Sequence, residues 1–167
     1  MRYLIAISII ITTSSSLILY ADPILKELNV EDAQKLTQNN KHKLLIINFW
    51  ATWCAPCVKE FPSFVKGRNK YKNQDVEVIF ISHDFEDKQA EVKEFLKRYQ
   101  VDWPSYIKVG YDEPYINSFS KDWSGALPAT FLYNDKGELL HFVESEINEE
   151  DLFKTIEGYL DFLKKQK

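Results

Sequence analysis

Leu44–Trp50 (LLIINFW) runs for seven residues with little polar interruption. Such a run is too short for a buried helix and lacks the alternation of a half-exposed strand, so it predicts a strand covered on both faces. Val76–Ser82 (VEVIFIS) has the same character. Between the two runs, Val58, Phe61, Phe64, Val65 and Arg68 fall on helical spacing. Two buried strands joined by a helix predict a parallel βαβ unit, because parallel neighbours need a crossover. Pro62 removes one backbone donor inside that helix, so a bend is expected there.

The flanking sequence extends this pattern. Leu25, Leu28, Ala33 and Leu36 predict a short helix over Leu25–Leu36, ended by the polar stretch Asn39–Lys43. Val92, Phe95, Leu96 and Tyr99 mark a second crossover helix, with a short strand expected within Val101–Lys108 and a short helix over Asp112–Ser120. Leu127–Asn134 reads as a strand, Asn134-Asp135-Lys136-Gly137 as a turn and Glu138–Glu144 as the returning strand of a hairpin. Asn148 followed by three acids starts a final helix, where carboxylates favour the positive end of the dipole. Its apolar stripe is Leu152, Phe153, Ile156, Tyr159, Leu160 and Leu163. The fold class is therefore α/β, a central mixed sheet flanked by helices.

The first 21 residues differ in kind. Arg2 precedes an apolar run from Tyr3 to Ile11, then Thr12–Ser16, a second apolar patch and Ala21. This predicts a secretory signal peptide over 1–21, cut after Ala21, and a single domain over 22–167. If it is not cut, residues 3–20 become an N-terminal membrane anchor. Without 1–21 the formal charge is −5, from 20 basic and 25 acidic side chains, which argues against nucleic acid as a partner.

Cys54 and Cys57 are the only cysteines, set two residues apart in Trp53-Cys54-Ala55-Pro56-Cys57. A structural staple across so small a loop stabilises by only about 2 kcal/mol on the chain-entropy formula. A metal site needs more ligands, and His42, His83 and His141 are scattered without paired spacing. A redox pair fits better: a helix N-terminus after a buried strand stabilises a thiolate, and the second sulfur can resolve a mixed disulfide formed on the first. His83 reads as a satisfied polar residue at a strand end.

NFWATWCAPC, Pro62 and GALPATFLYN together resemble the thioredoxin superfamily, and within it the exported TlpA/ResA-like thiol-disulfide oxidoreductases. The resemblance implies a thioredoxin-like fold with Cys54 as the exposed nucleophile and Cys57 as the resolving thiol. It implies a cis Pro128 facing the pair, Leu127 offering backbone groups to a substrate strand, and a substrate-facing surface that includes Trp53, Ala55 and Pro56. The long interval from Cys57 to Pro128 implies a strand-helix insertion within Asp84–Ser120. Asn48 occupies the place of the buried acid that assists proton transfer in ordinary thioredoxin. Among Asp84, Glu86 and Asp87, Glu86 is the best candidate to take that role, set against the simpler reading that these acids only favour a helix start.

The implied activity is dithiol-disulfide exchange with protein substrates outside the cytoplasm, by a monomer, with no cofactor and no metal. Apocytochrome c maturation is a frequent role in that branch, although nothing here reads as a cytochrome-binding patch. Ala55 and Pro56 bring neither charge nor a side-chain donor to the thiolate. The expectation is a Cys54 pKa nearer about 7 than about 3.5 and a potential nearer about −270 mV than about −120 mV. Such a reductase needs a donor, expected to be membrane-borne. A copper-delivering metallochaperone would require a wider cysteine spacing and a well-placed histidine, and a thiol peroxidase carries its nucleophile in a different motif.

Overall fold

Every residue of Leu44–Trp50 is buried, and the segment forms an inner strand, β2, of the computed structural model, which describes residues 22–165. The elements before it are β1 (Leu25–Leu28) and α1 (Val30–Gln38). After it come α2 (Ala55–Tyr71), β3 (Val76–Ser82), α3 (Gln89–Arg98), β4 (Ser105–Lys108) and α4 (Asp112–Phe119). The hairpin β5 (Ala129–Asn134) and β6 (Leu139–Val143) and the helix α5 (Glu149–Lys165) complete the fold. The six strands form one sheet in the order β1-β4-β3-β2-β5-β6. The first four strands are mutually parallel, while β5 runs antiparallel to β2 and β6 antiparallel to β5. The carboxyl ends of β2, β3 and β4 therefore share one edge of the sheet with the start of β5.

Alternation along β2 divides the core. Leu44, Ile46 and Trp50 join Phe61, Phe64, Phe95 and Leu152 in the cluster beneath α2, α3 and α5. Leu45, Ile47 and Phe49 join Ala33, Tyr115 and Phe119 in the cluster beneath α1 and α4. Neither face of β2 reaches water, which is why its sequence shows no polar alternation.

The predicted helix over Leu25–Leu36 is corrected. Leu25–Leu28 is an edge strand paired with β4, and Asn29 caps the helix that follows, its side-chain oxygen accepting from Asp32 N at 2.9 Å. β4 begins only at Ser105, because Pro104 just before it has no N–H for the ladder. Helix α2 continues through Pro62 as a single element from Ala55 to Tyr71. The expected signal peptide or anchor lies outside the described residues. Among the described residues, no helix is long and apolar enough to cross a membrane.

Candidate active site

The chain leaves β2 at Trp50 and turns into α2 within four residues. Cys54 is the N-cap of α2: its backbone is extended (φ −88°, ψ 98°) and its sulfur accepts from Cys57 N at 3.4 Å. Pro56 in the first turn costs no hydrogen bond, since those N–H groups have no partner within the helix. The two sulfurs are joined as a disulfide (2.01 Å), with Cys57 fully buried and Cys54 6% exposed. Around them Trp53 is 64% exposed, and Ala55 and Pro56 are also exposed, so the nearly covered disulfide has an open apolar rim.

The turn before Cys54 is held from β3. The buried carboxylate of Asp84 accepts from Thr52 N at 2.9 Å, Thr52 Oγ1 at 2.5 Å and Ser82 Oγ at 2.7 Å. His83 N donates to Trp50 O at 2.8 Å. Lys59 pairs with Glu146 at 2.5 Å, so its charge is balanced away from the sulfurs.

Pro128 enters from the opposite strand. Phe49 pairs with Ala129, which places Pro128 beside the end of β2, and the Leu127–Pro128 peptide bond is cis. The preceding loop is tied down by one oxygen of Glu144, at the end of β6. It accepts from Ser124 N at 3.1 Å, Ser124 Oγ at 2.5 Å and Ala126 N at 2.9 Å. Trp123 Nε1 donates to Ala126 O at 3.0 Å. Gly125 has φ +89°, and a Cβ there would lie 2.6 Å from Ile116 Cδ1, so the loop requires glycine. Both backbone groups of Ala126 are thus engaged, whereas no internal hydrogen bond engages those of Leu127 among the described residues.

A carboxyl that sequence reasoning missed lies under the pair. Glu60 follows Cys57 by three residues on the buried face of α2 and is 2% exposed. One oxygen accepts from Asn48 Nδ2 at 2.9 Å and the other from Ile147 N at 2.8 Å. Burial pushes its pKa up to about 7, against the lowering effect of these two donors, with Glu146 adding to the rise. Asn48 also donates to Thr130 Oγ1 at 3.2 Å. Glu86, the carboxylate favoured from sequence, sits in the exposed turn before α3 and accepts from Gly110 N at 3.2 Å. His83 is not the satisfied residue expected. Its Nε2 is buried without a partner, packed among the rings of Phe49, Tyr115 and Trp123.

The model of the AhpC/TSA family matches residues 23–142. The chain belongs to the AhpC/TSA family. Within this thioredoxin-superfamily grouping, it is similar to the thiol-disulfide oxidoreductase ResA of Bacillus cereus. The identity is 36% over 120 residues, covering 72% of this chain and 63% of that protein. ResA of Bacillus subtilis (strain 168) is 30% identical over 124 residues, covering 74% and 63%. The AhpC/TSA chain thus spans about 63% of the length of these curated relatives. A thioredoxin-related protein from Neisseria meningitidis serogroup B superposes with a TM-score of 0.61 at 28% identity, covering 74% of this chain and 90% of that one. A thiol:disulfide interchange protein from Chlorobium tepidum TLS gives 0.61 at 22%, covering 72% and 81%, a likeness of fold. The fold is thioredoxin-like, and the AhpC/TSA chain carries its cysteine pair at the crossover from β2 to α2.

Glu60 had a legible signal. It is the one carboxylate in the stripe Cys57, Phe61, Phe64, and Asn48 supplies the facing amide from β2.

Proposed function

We propose that this protein is an exported thiol-disulfide oxidoreductase that reduces disulfides in protein substrates. The observation that carries the reading is the Cys54–Cys57 pair at the N-terminus of α2, nearly covered yet rimmed by exposed Trp53, Ala55 and Pro56. In the reduced protein the Cys54 thiolate attacks a substrate disulfide. One substrate thiolate leaves, and a mixed disulfide forms on Cys54. The Cys57 thiolate then attacks Cys54 Sγ, closing the internal disulfide and releasing the second substrate thiolate. Two electrons pass to the substrate, and a dithiol donor, which we place in the membrane, returns them.

Glu60 is our candidate for the proton of Cys57. It lies one helical turn beyond that sulfur, and a proton affinity near neutrality suits a group that must both take and give a proton. Asn48 can accompany both states, since an amide offers donors and an acceptor. The free backbone groups of Leu127 suit strand-like pairing with substrate across the site. Reduction as the working direction is supported by the absence of charge at Ala55 and Pro56 and by the pairing of Lys59 with Glu146. The helix terminus is left as the main stabiliser of a Cys54 thiolate.

Insulin-disulfide reduction tests the activity, and a Cys57→Ser variant should stall as mixed disulfides on Cys54. Stoichiometric Cu(I) binding by a protein that reduces nothing would replace this reading with metal delivery. Redox titration against dithiothreitol should give a potential nearer about −270 mV than −120 mV, and a value above about −180 mV would reverse the direction. Export predicts a mature N-terminus at Asp22, and sequencing of the protein from its native host would expose an intact Met1.

A further inference from the structure

Beyond the carboxyl ends of β3 and β4 lies an open pocket of about 520 Å³ that plays no part in the exchange chemistry above. Its lining carries the carboxylates of Asp84, Glu86, Asp87 and Asp112 against a single cation, Lys108. That cation is already spent, held by Asp112 at 2.5 Å and by Gly110 O at 2.6 Å. Asp87 has no partner among the described residues. The field in the pocket is therefore negative and excludes an anionic ligand.

The pocket also has aromatic walls. Six large hydrophobic side chains are exposed among the described residues, and Trp53, Phe85 and Tyr111 follow the ends of β2, β3 and β4. Phe85 is 77% and Tyr111 89% exposed. Ser82 pairs with Ile107, so Phe85 and Tyr111 leave adjacent strands at nearly the same level and flank one crevice. In the wall between them stands His83, whose buried Nε2 is an unanswered polar atom of a kind that proteins rarely leave. Aromatic faces beside the unpaired carboxylate of Asp87, in a net negative field, suit a guanidinium, which stacks on rings and is held by carboxylate oxygens at once.

Asp84 links the pocket to the turn that leads into the disulfide. It lines the pocket and grips Thr52, two residues before Cys54, a span of at most about 7 Å. We infer that this pocket is a substrate subsite that takes an arginine side chain of the polypeptide undergoing exchange at Cys54. At about 3.3 Å per residue in an extended chain, the peptide reaches the pocket within a few residues of the substrate cysteine, and a positional scan reads out the favoured position. The inference rests on the exchange reading above.

The test uses paired synthetic ten-residue peptides, each carrying one cysteine as a mixed disulfide with glutathione, with arginine or glutamine placed at successive positions. Reduction by the reduced protein should be about tenfold faster for arginine at the favoured position. That ratio should shrink in high salt and fall to about one in a Tyr111→Ala/Asp87→Asn variant. A ratio within twofold of one in the unmodified protein, or a preference that survives in the variant, overturns the subsite. Chemical-shift titration with the same peptides, serine replacing cysteine, reads the pocket without chemistry. Shifts at the Phe85, Gly110 and Tyr111 amides for arginine peptides alone support it, even should no peptide be reduced. Their absence overturns it, even should all be reduced.

Discussion

Glu60 and His83 lie on opposite faces of the sheet, and burial drives their proton affinities in opposite directions. Beneath α2 and α5, Glu60 meets the amide of Asn48 and the N–H of Ile147, yet desolvation still lifts its pKa to about 7. On the α1–α4 face, His83 packs among aromatic rings, and desolvation, reinforced by Lys108, lowers its pKa to about 4. Both are pushed toward their neutral forms, as a low-dielectric setting requires. The difference lies in what partners allow. Glu60 has donors for its charged state and so titrates near neutrality, whereas His83 has none and stays neutral at physiological pH. Burial alone makes a fixed polar group; burial with partners makes a proton exchanger.

The strongest way to break this contrast is through stability against pH. A carboxyl whose folded pKa exceeds its unfolded value stabilises fully below the unfolded pKa and loses that contribution as pH rises through the folded one. For Glu60 the window runs from 4.5 to about 7, and the loss is on the order of 3 kcal/mol. In urea unfolding across this range the decline should appear as the difference in stability between the unmodified protein and Glu60→Gln. A variant that keeps the same slope assigns the titration elsewhere.

Next in size is the effect of that substitution on rate. Removing a positioned acid-base group typically costs about 10²-fold or more, and Glu60→Gln should slow resolution by Cys57 about 10²-fold near pH 7. The limb of the pH-rate profile near 7 should vanish with it. An unchanged profile would leave Glu60 a purely structural carboxyl.

His83 gives the opposite slope. Its folded pKa is depressed, so its contribution is complete above 6.5 and is lost as pH falls through about 4. The ring borders an open pocket, so solvent softens the effect to about 2 kcal/mol. Between about 4.5 and 6.5 the two groups oppose each other, and the unmodified protein should vary little with pH there. His83→Phe keeps an aromatic ring and should uncover the Glu60 slope in full. A flat profile in that variant would remove His83 from the balance.

What sequence could and could not deliver follows the range of each interaction. The runs of β2 and β3 and the spacing of the cysteines are local patterns, readable because burial on both faces or a helix start leaves its mark within a few residues. β1 is four residues long and exists by pairing with β4, about 80 residues on, so its local sequence passed for the start of a helix. The resemblance marks Asn48 as standing in place of a buried acid, but its partner Glu60 is set only when α2 packs on the sheet. The unpartnered His83 needed the same tertiary knowledge, because its neighbours come from β2, α4 and the loop after it.

The smallest effect sharpens the contrast where the two faces meet. Leu127 packs against both core clusters, and the loop leading to it is held by Glu144 alone among charged groups of the described residues. Three donors converge on one carboxylate oxygen, and hydrogen bonds to an ion are roughly twice as strong as neutral ones. Glu144→Gln keeps an acceptor of similar size but removes the charge, so the loop should sample more positions without leaving the site. The cysteine pair is untouched, and on the proposed role of Leu127 the cost belongs to aligning its backbone with substrate. KM for a protein disulfide should rise about fivefold, equivalent to about 1 kcal/mol, with kcat within twofold and the Cys54–Cys57 potential unchanged. A fall in kcat at constant KM would place Glu144 in the chemistry instead. Equal constants in both proteins would mean that Trp123 and Gly125 hold the loop without the carboxylate.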